Sequence, residues 1–456
     1  MKKFLLMTLL SCLSFGAAKA QMTLSLDEAI KLALSDNPTI VVAGLEVERY
    51  DYVKKQTLAS LYPKVDITGQ YSYALRKQEM AQGLSFGGKN TFNATANVSL
   101  PLFVPSVYRQ LKLNKTQMAL AVESARASRI DMVAAVRAAY YNVLLAEQSL
   151  KVLEKAVSTT QEVVDNTKLL AERGLAAEYD YITAQVQLSN LAPQVLQAKN
   201  GIDLTKRQLK MYLSIPEETE IFVIGSLDDF RDAVLLGTDY EIDLANNTTM
   251  KSLELQQELL EHQEKLIQTT RMPTLAAFGQ ISYIGQEPSD FGGLMGGGTR
   301  AYASSVTRAG SGSPKFWWQY PISLGAQISI PLFSGFSKTN QLREVRNQQA
   351  QLEIQRDYTE RGLMLQVQTS VNNLITAREM MMANELTVQQ AQKAYEISES
   401  RYNAGAGTIL ELNSSQLTLT QAQLNYSQSI YDYLSAHAEY EKSLGVEYAA
   451  EEQIAE

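Results

Sequence analysis

Apolar and small residues recur at alternating spacings of three and four along four long segments of the chain. A spacing that averages 3.5 residues over several heptads predicts helices that supercoil against neighbouring helices. The longest segment, 107–173, contains no proline, and its 67 residues would form a helix of about 100 Å at ~1.5 Å per residue. We call the recurring positions the seams. Before two glycine-containing turns the seams are Val143, Ala146, Leu150, Leu153, Val157, Thr160, Val164, Thr167 and Ala171, and Leu374, Ala377, Met381, Asn384, Val388, Ala391, Tyr395, Ser398 and Tyr402; after the turns they are Leu188, Leu191, Val195, Ala198, Ile202, Thr205, Leu209 and Tyr212, and Leu419, Ala422, Tyr426, Ser429, Tyr433, Ala436, Tyr440 and Ser443.

Shorter stretches alternate apolar and polar residues, which predicts strands with one apolar and one polar face. Two of them, 90–103 and 319–333, follow partner strands over 63–76 and 273–285. About ten residues is the length of a tilted membrane-spanning strand. The glycine-rich segment 286–316 is expected to be a surface loop. A soluble hairpin with an exposed aromatic patch is the alternative interpretation. The aromatic residues that are candidates for a girdle at the membrane interface are Tyr71, Tyr73, Trp317, Trp318 and Tyr320.

The order strand, strand, helix, helix occurs twice in the chain. The segment LYPKVDITGQYSY is followed 210 residues later by RMPTLAAFGQISY, and the turn glycines Gly174 and Gly405 are 231 residues apart. Such self-similarity predicts a duplicated architecture. The expected division is a first repeat, a linker, a second repeat and a C-terminal tail, over residues 21–213, 214–240, 241–445 and 446–456.

The N-terminal sequence, the cysteine count and the net charge limit the kinds of protein that this chain can be. Residues 1–20 combine two lysines near the N-terminus, Lys2 and Lys3, an apolar run and small residues, which predicts a secretory signal cut after Ala20. A lipoprotein signal acylated at Cys12 is the alternative. Because Cys12 is the only cysteine, the mature chain is expected to lack disulfides and thiolate sites. Loss of the three lysines in 1–20 would change the net charge from -8 to -11, which argues against nucleic acid as a partner.

The predicted strands must form a closed barrel if they span a membrane. Four strands per chain cannot close a barrel, and an open sheet in lipid would leave backbone groups at its edges without hydrogen bonds. The smallest membrane barrels have about eight strands, and an open conduit needs more. Several chains are therefore expected to contribute. Three would give twelve strands, although the count alone does not require a trimer.

Several motifs together resemble a known family. They are the openings LSLDEAIKLALSDNP and DYEIDLANN, the strand exits SLPLF and SIPLF, and the turns ERGLAAEYD and RYNAGAGTILEL. In this order and duplication the chain resembles the TolC family of outer-membrane efflux proteins. The resemblance implies a homotrimer in the outer membrane of a Gram-negative bacterium, with a twelve-stranded β-barrel continuous with a long periplasmic α-helical coiled-coil barrel.

The resemblance also implies a function. Proteins of this family are passive, gated exit ducts of tripartite efflux or type I secretion systems. They dock onto a periplasmic adaptor protein and an inner-membrane transporter of the RND or ABC type. A sharp helix reversal needs a left-handed backbone, which glycine adopts readily. The expected docking tips are therefore the two turns, with Gly174, Leu175, Gly405, Ala406 and Gly407.

The family's closed entrance suggests candidate gate residues near the same turns. Glu411 lies at the first of two acidic positions after the second turn, whereas Ser414 replaces the second acid. Tyr402 and Asp180 match a pair that links neighbouring coils, and Glu178 is a further acid nearby. Gly407 lies where the family has a basic residue, so Arg401 or Arg173 is the expected substitute. The alternative is that these charges are simply solvated at helix ends.

The sequence offers little for catalysis. His262 and His437 are the only histidines and both lie in helical patterns, so no catalytic triad or histidine-rich metal site is expected. No phosphate-binding loop motif occurs, so energy must come from another protein. We therefore expect no enzyme activity, metal or cofactor. Two rivals remain: an adhesive or structural coiled-coil stalk anchored by a barrel, and a periplasmic adaptor.

Overall fold

The computed structural model describes residues 21–76, 78–79, 85–86, 89–235, 243–286 and 317–448. The predicted signal segment with Cys12, nearly all of the glycine-rich segment and the end of the tail lie outside these residues. The elements are β1 (Gln21–Leu24), α1 (Leu26–Asp36), α2 (Pro38–Ala59), β2 (Lys64–Tyr73), β3 (Gln78–Glu79), β4 (Ser85–Phe86), β5 (Asn90–Phe103), α3 (Pro105–Glu172), α4 (Glu178–Leu213), β6 (Glu220–Val223), α5 (Leu227–Leu235), α6 (Thr248–Thr269), β7 (Thr274–Gln286), β8 (Trp317–Gln319), β9 (Ile322–Ser329), α7 (Ser337–Asn403) and α8 (Ile409–Leu444).

The described chain forms two compact units. One comprises the described parts of 1–48, 119–255 and 353–456, and the other comprises those of 49–118 and 256–352. The second unit contains the antiparallel sheet, in which β2, β5, β7 and β9 are consecutive neighbours and β8 continues the outer strand beside β7. In the register of β5 with β7, polar residues lie opposite polar residues, such as Thr95 and Ser282. Apolar residues lie opposite apolar residues, such as Ala96 and Ile281. The sheet therefore has one polar and one apolar face, as the alternation predicts.

The fourth strand differs from the prediction of one strand over 319–333. The structure has two pieces, β8 and β9, separated at Tyr320 and Pro321, and regular pairing ends at Ser329. Proline lacks the N–H that a strand ladder needs, which explains the interruption at Pro321 and the end before Pro331. The carbonyl of Pro321 still accepts a hydrogen bond from the Ser282 N–H at 3.0 Å, so the outer strand stays attached.

The long helices follow the predicted seams. None of the seam residues is exposed, and the most buried of them include Val143, Thr167, Leu374 and Met381. Helix α3 has 68 residues and begins with Pro105, a residue favoured at the first helical position because that N–H has no partner inside the helix. None of the helices within the described residues is both long enough and apolar enough to cross a membrane.

The predicted linker 214–240 contains regular structure. Its strand β6 pairs in parallel with β1, and helix α5 follows. The hydroxyl of Tyr140 is fully buried and reaches the carbonyls of Leu24 at 3.1 Å and Ile224 at 2.6 Å, so it links the ends of both strands to α3. The linker is thus part of the core of its unit.

Two buried asparagines show the duplication at atomic level. The Asn37 amide donates to the Tyr212 carbonyl at 2.8 Å, and the Asn247 amide donates to the Ser443 carbonyl at 2.8 Å. Each asparagine also accepts from a backbone N–H two residues later, which caps the next helix. Each repeat therefore joins its beginning to its end by the same contact.

Candidate functional site

The two hairpin turns have the same backbone geometry. Gly174 and Gly405 have φ values of +73° and +74°, in the left-handed region. After Gly174, the Leu175 N–H donates to the Leu170 carbonyl at 2.8 Å, and the equivalent bond after Gly405 is also 2.8 Å. This is the Schellman pattern, in which a glycine ends a helix and its last carbonyls find donors. Gly174 and Gly405 thus have the backbone conformation that ends α3 and α7 at the turns.

Leu175 is a large apolar residue that is exposed in the first turn, with 73% of its surface accessible. Ala406, the residue at the same place in the second turn, is also exposed. We call residues 172–178 the first tip and residues 403–409 the second tip. Gly407 is different from the turn glycines because a Cβ there would lie 3.1 Å from the Tyr402 nitrogen. A side chain at position 407 would therefore require Arg401 or the backbone of Tyr402 to move by a few tenths of an ångström.

Arg401 makes the ionic contact of the second tip. Its guanidinium donates to the Ala406 carbonyl at 3.2 Å and lies 3.6 Å from a carboxylate oxygen of Glu411. Thr408 caps helix α8 by accepting from the Glu411 N–H at 3.2 Å. Of the two expected substitutes for the missing basic residue, the structure therefore pairs Arg401 with Glu411. Both side chains are about half exposed, so the pair contributes little to stability.

The carboxylate of Asp180 is near enough to Tyr402 to act on it electrostatically. The pKa of Tyr402 is raised, first by burial of its ring and second by the negative charge of Asp180. Tyr402 packs at the edge of an apolar cluster that draws on both hairpins. The buried members of this cluster are Val163, Val164, Ala184, Tyr395, Ile409 and Leu412.

Two predicted gate residues are not brought into this group. Glu178 is exposed in the first turn of α4, where a negative charge is favourable beside the helix N-terminus. Ser414 is exposed in α8, and its carbonyl accepts from the Thr418 hydroxyl at 2.8 Å. The structure therefore assembles Tyr402 with Asp180 and Arg401 with Glu411.

A second candidate site is a row of aromatic rings on the sheet. Tyr71 contacts Phe92 with ring centroids 4.8 Å apart, and Trp318 lies 6.5 Å from Phe92 and 4.7 Å from Tyr283. Of the predicted girdle residues, the row includes Tyr71 and Trp318.

The other predicted girdle residues lie near this end of the sheet. Tyr73 is exposed and pairs with Asn90, Tyr320 is exposed between β8 and β9, and the backbone of Trp317 pairs with Gln286. The sequence analysis did not select Phe92 and Tyr283 as site residues. Both lie at apolar positions of the predicted strands. The pairing of those strands would have shown that the two rings lie beside Tyr71 and Trp318.

No group of three or more His, Cys, Asp or Glu side chains among the described residues is arranged to hold a metal ion. The features that remain are two turn tips, a polar contact set beside them, and a sheet with one apolar face.

The sequence profile of the outer membrane efflux protein family matches residues 29–214 and 240–446, and the chain belongs to that family. The chain is 22% identical to the outer membrane protein TolC of Escherichia coli over 394 residues, which cover 84% of this chain and 75% of TolC. It is also 22% identical to the alkaline protease secretion protein AprF of Pseudomonas aeruginosa over 428 residues, which cover 91% of this chain and 83% of AprF.

A solved structure shows the same fold. The Campylobacter jejuni CmeC outer membrane channel superposes with a TM-score of 0.67 at 17% identity, covering 93% of this chain and 86% of CmeC. The family members are outer-membrane channels and not enzymes. The protein is thus an outer-membrane efflux protein of a Gram-negative bacterium, and the protein extends into the periplasm.

Proposed function

We propose that three copies of this chain form a passive, gated exit duct in a tripartite efflux or type I secretion system. The observation that carries the proposal is the pair of sheet edges. In the described chain, β2 and β9 each pair on one side only, and nearly all their residues are exposed. Within lipid such edges must be paired. A second copy would supply the missing strand.

Strand direction supports closure by identical copies. The four strands β2, β5, β7 and β9 are antiparallel in succession. Because their number is even, β2 of a following copy would lie antiparallel to β9. Closure can then continue around a ring without reversing any chain. Three copies would give the twelve-stranded barrel that the family resemblance implies.

Exposed apolar residues on the helices support the same assembly. In α4 and α7 they recur at heptad-compatible spacing on surfaces outside the seams, which is typical of coils that contact further helices. Those that keep this spacing are Tyr179, Ile182, Val186 and Leu196 in α4, and Ile354, Tyr358, Leu365, Ile375, Met382 and Leu386 in α7. Neighbouring copies would cover these residues in a helical barrel.

The tips suggest how the duct is loaded and closed. Exposed Leu175 and the small residues around Gly405 would dock on the helical hairpin of a periplasmic adaptor, which would connect the duct to an inner-membrane transporter of the RND or ABC type. In a trimer, three copies of Glu411 would surround the axis of a narrow entrance. Negative charges held close together there would concentrate cations. The ion pair of Arg401 with Glu411 and an interaction between Asp180 and Tyr402 would hold the entrance closed. No catalytic step is involved.

Conductance tests the proposal. Protein purified from outer membranes in detergent should run as a trimer and give discrete, ohmic steps in planar lipid bilayers. A stalk with a plugged barrel would give a trimer without steps, and a monomer that stays soluble without detergent would contradict the assembly.

Docking is tested separately by crosslinking in cells from cysteines placed at Gly174 and Ala406. We expect capture of an adaptor together with its transporter. A cysteine at Leu410, which is exposed, tests whether the adaptor also contacts the side of the tip. A cysteine at Leu332, which is exposed beyond the sheet, is the matched control and should capture neither protein.

A further inference from the structure

A buried glutamine joins the two hairpins close to the tips. Gln416 of α8 is 6% exposed, and its side-chain amide donates to Thr160 Oγ1 at 2.9 Å and to the Ala156 carbonyl at 3.2 Å. Both acceptors belong to α3, so the contact crosses from the second hairpin to the first. We call this contact, formed by Thr160 and Gln416, the hairpin latch.

The hydrogen bonds around Thr160 fix the orientation of the latch. The Thr160 hydroxyl donates to the Ala156 carbonyl at 2.8 Å, so its proton is already used. Thr160 Oγ1 can then only accept, and Gln416 must present its NH₂ group to it. The carbonyl oxygen of Gln416 consequently faces the other way.

The carbonyl oxygen of the Gln416 side chain has no hydrogen-bond partner. Gln416 Oε1 is buried without a hydrogen bond, and so is Oδ1 of Asn413, which is three residues earlier on the same face of α8 and 8% exposed. Buried acceptors without donors raise the free energy of the state that buries them. A movement of the hairpins that admits water to these two oxygens would remove that penalty. The latch therefore combines directional bonds with a built-in tendency to release.

Other buried polar side chains near the latch do not join the hairpins. The hydroxyls of Thr167 and Thr420 donate to carbonyls of their own helices. Farther from the tips, α3 and α8 are joined by ion pairs, Arg137 with Glu441 and Lys442 with Asp131. Among the described residues, Gln416 thus forms the side-chain hydrogen bond between α3 and α8 that is nearest the tips.

We propose that Thr160 and Gln416 are positioning residues of the gate, which hold the first and second hairpins of one chain together in the closed duct and separate when it opens. This inference rests on the proposed function. The residues act through the two hairpins, which also carry Tyr402, Asp180 and Glu411, and need not contact cargo themselves.

The first experiment compares Gln416→Glu with Gln421→Glu in planar bilayers, using the full mature protein. Gln421 is exposed on the same helix and bonds only to Asn425 of its own helix. At neutral pH, Q416E replaces the donor by a carboxylate facing two acceptors, and we expect the resting open probability to rise by at least about five-fold. Lowering the pH to about 4 should restore closure, because a protonated carboxyl can again donate to Thr160. Q421E should behave like the wild type at both pH values.

A double-mutant cycle covers the case in which Q416E does not fold. Thr160→Val and Gln416→Met each leave one polar partner unmatched, so each should raise the open probability. The double variant replaces both partners by apolar groups of similar size and should close nearly as well as the wild type. Additive effects in the cycle, or equal conductance of Q416E and Q421E at neutral pH, would overturn the proposal.

Hydrogen exchange separates this proposal from the proposed function. If the wild type gives no conductance, the duct is contradicted, but the latch still predicts faster amide exchange around residue 160 in T160V and not in Q421E. Unchanged exchange in T160V would overturn the latch whether or not the protein conducts.

Discussion

Trp318 stacks on Tyr283 with ring centroids 4.7 Å apart, and its indole covers Gly285, where a Cβ would come within 2.5 Å of the ring. The glycine therefore makes the space in which the tryptophan lies. This arrangement ties the short strand β8 to β7 by side chains as well as by backbone pairing.

Gly285→Ala should displace Trp318 and weaken the aromatic row. Overpacking of this kind costs about 1–3 kcal/mol. We expect a lower midpoint of thermal dissociation for the oligomer in detergent, measured by gel mobility after heating, and a shift in tryptophan fluorescence. Gly69→Ala is the control, because Gly69 lies in β2 of the same sheet and its added Cβ meets no atom within 4 Å. Equal losses for the two variants would contradict the role of Gly285.

Gly405→Ala tests the turn. No atom lies within 4 Å of a Cβ at Gly405, so the expected loss of about 1–2 kcal/mol comes from the left-handed backbone alone. Gly362→Ala in α7 also meets no atom, but Gly362 has helical φ, and there alanine should stabilise by about 0.5–1 kcal/mol. Thermal unfolding followed by circular dichroism should therefore move in opposite directions for the two variants.

Glu411→Gln tests the charge at the second tip. The pair with Arg401 is half exposed, so the thermal midpoint should change little. Block of the current by divalent cations added on the periplasmic side should weaken, because each chain loses its negative charge at the entrance. The difference from the wild type should shrink as ionic strength rises, since salt screens exposed charges. Unaltered block at low salt would place Glu411 away from the conduction path.

Tyr140 predicts an alkaline loss of stability. Burial raises the pKa of Tyr140 from 10.0 to about 12. Below pH 10 the phenol is neutral in both folded and unfolded chains, and between pH 10 and about 12 only the unfolded chain releases its proton. The free energy of unfolding should fall there by about 2–3 kcal/mol. Chemical denaturation across this range measures the fall.

Tyr140→Phe separates titration from hydrogen bonding. The variant loses the bonds to the carbonyls of Leu24 and Ile224 and should be less stable at neutral pH by about 1–3 kcal/mol. Its alkaline fall should be smaller than that of the wild type. An identical fall would assign the loss to other groups.

Periodicity predicted the helices well because each seam residue had only to face a neighbouring helix. The interruption of the fourth strand at Pro321 and the strand β6 in the predicted linker were missed, since both depend on a partner distant in sequence. The pairing of Arg401 with Glu411 depends on the turn, where a Cβ at Gly407 would lie only 3.1 Å from the Tyr402 nitrogen. Phe92 and Tyr283 were recognised as apolar positions, but their place in the aromatic row requires the strand register.

The asparagine contacts bear on how the protein is made. Asn37 and Tyr212 are separated by 175 residues, and Asn247 and Ser443 by 196. Each contact can form only after its whole repeat has been synthesised, and contacts of such sequence separation slow folding. The first repeat can nevertheless complete its own contact while the second is still emerging. Biogenesis can therefore proceed in two stages, with strand edges left open for other copies until the end.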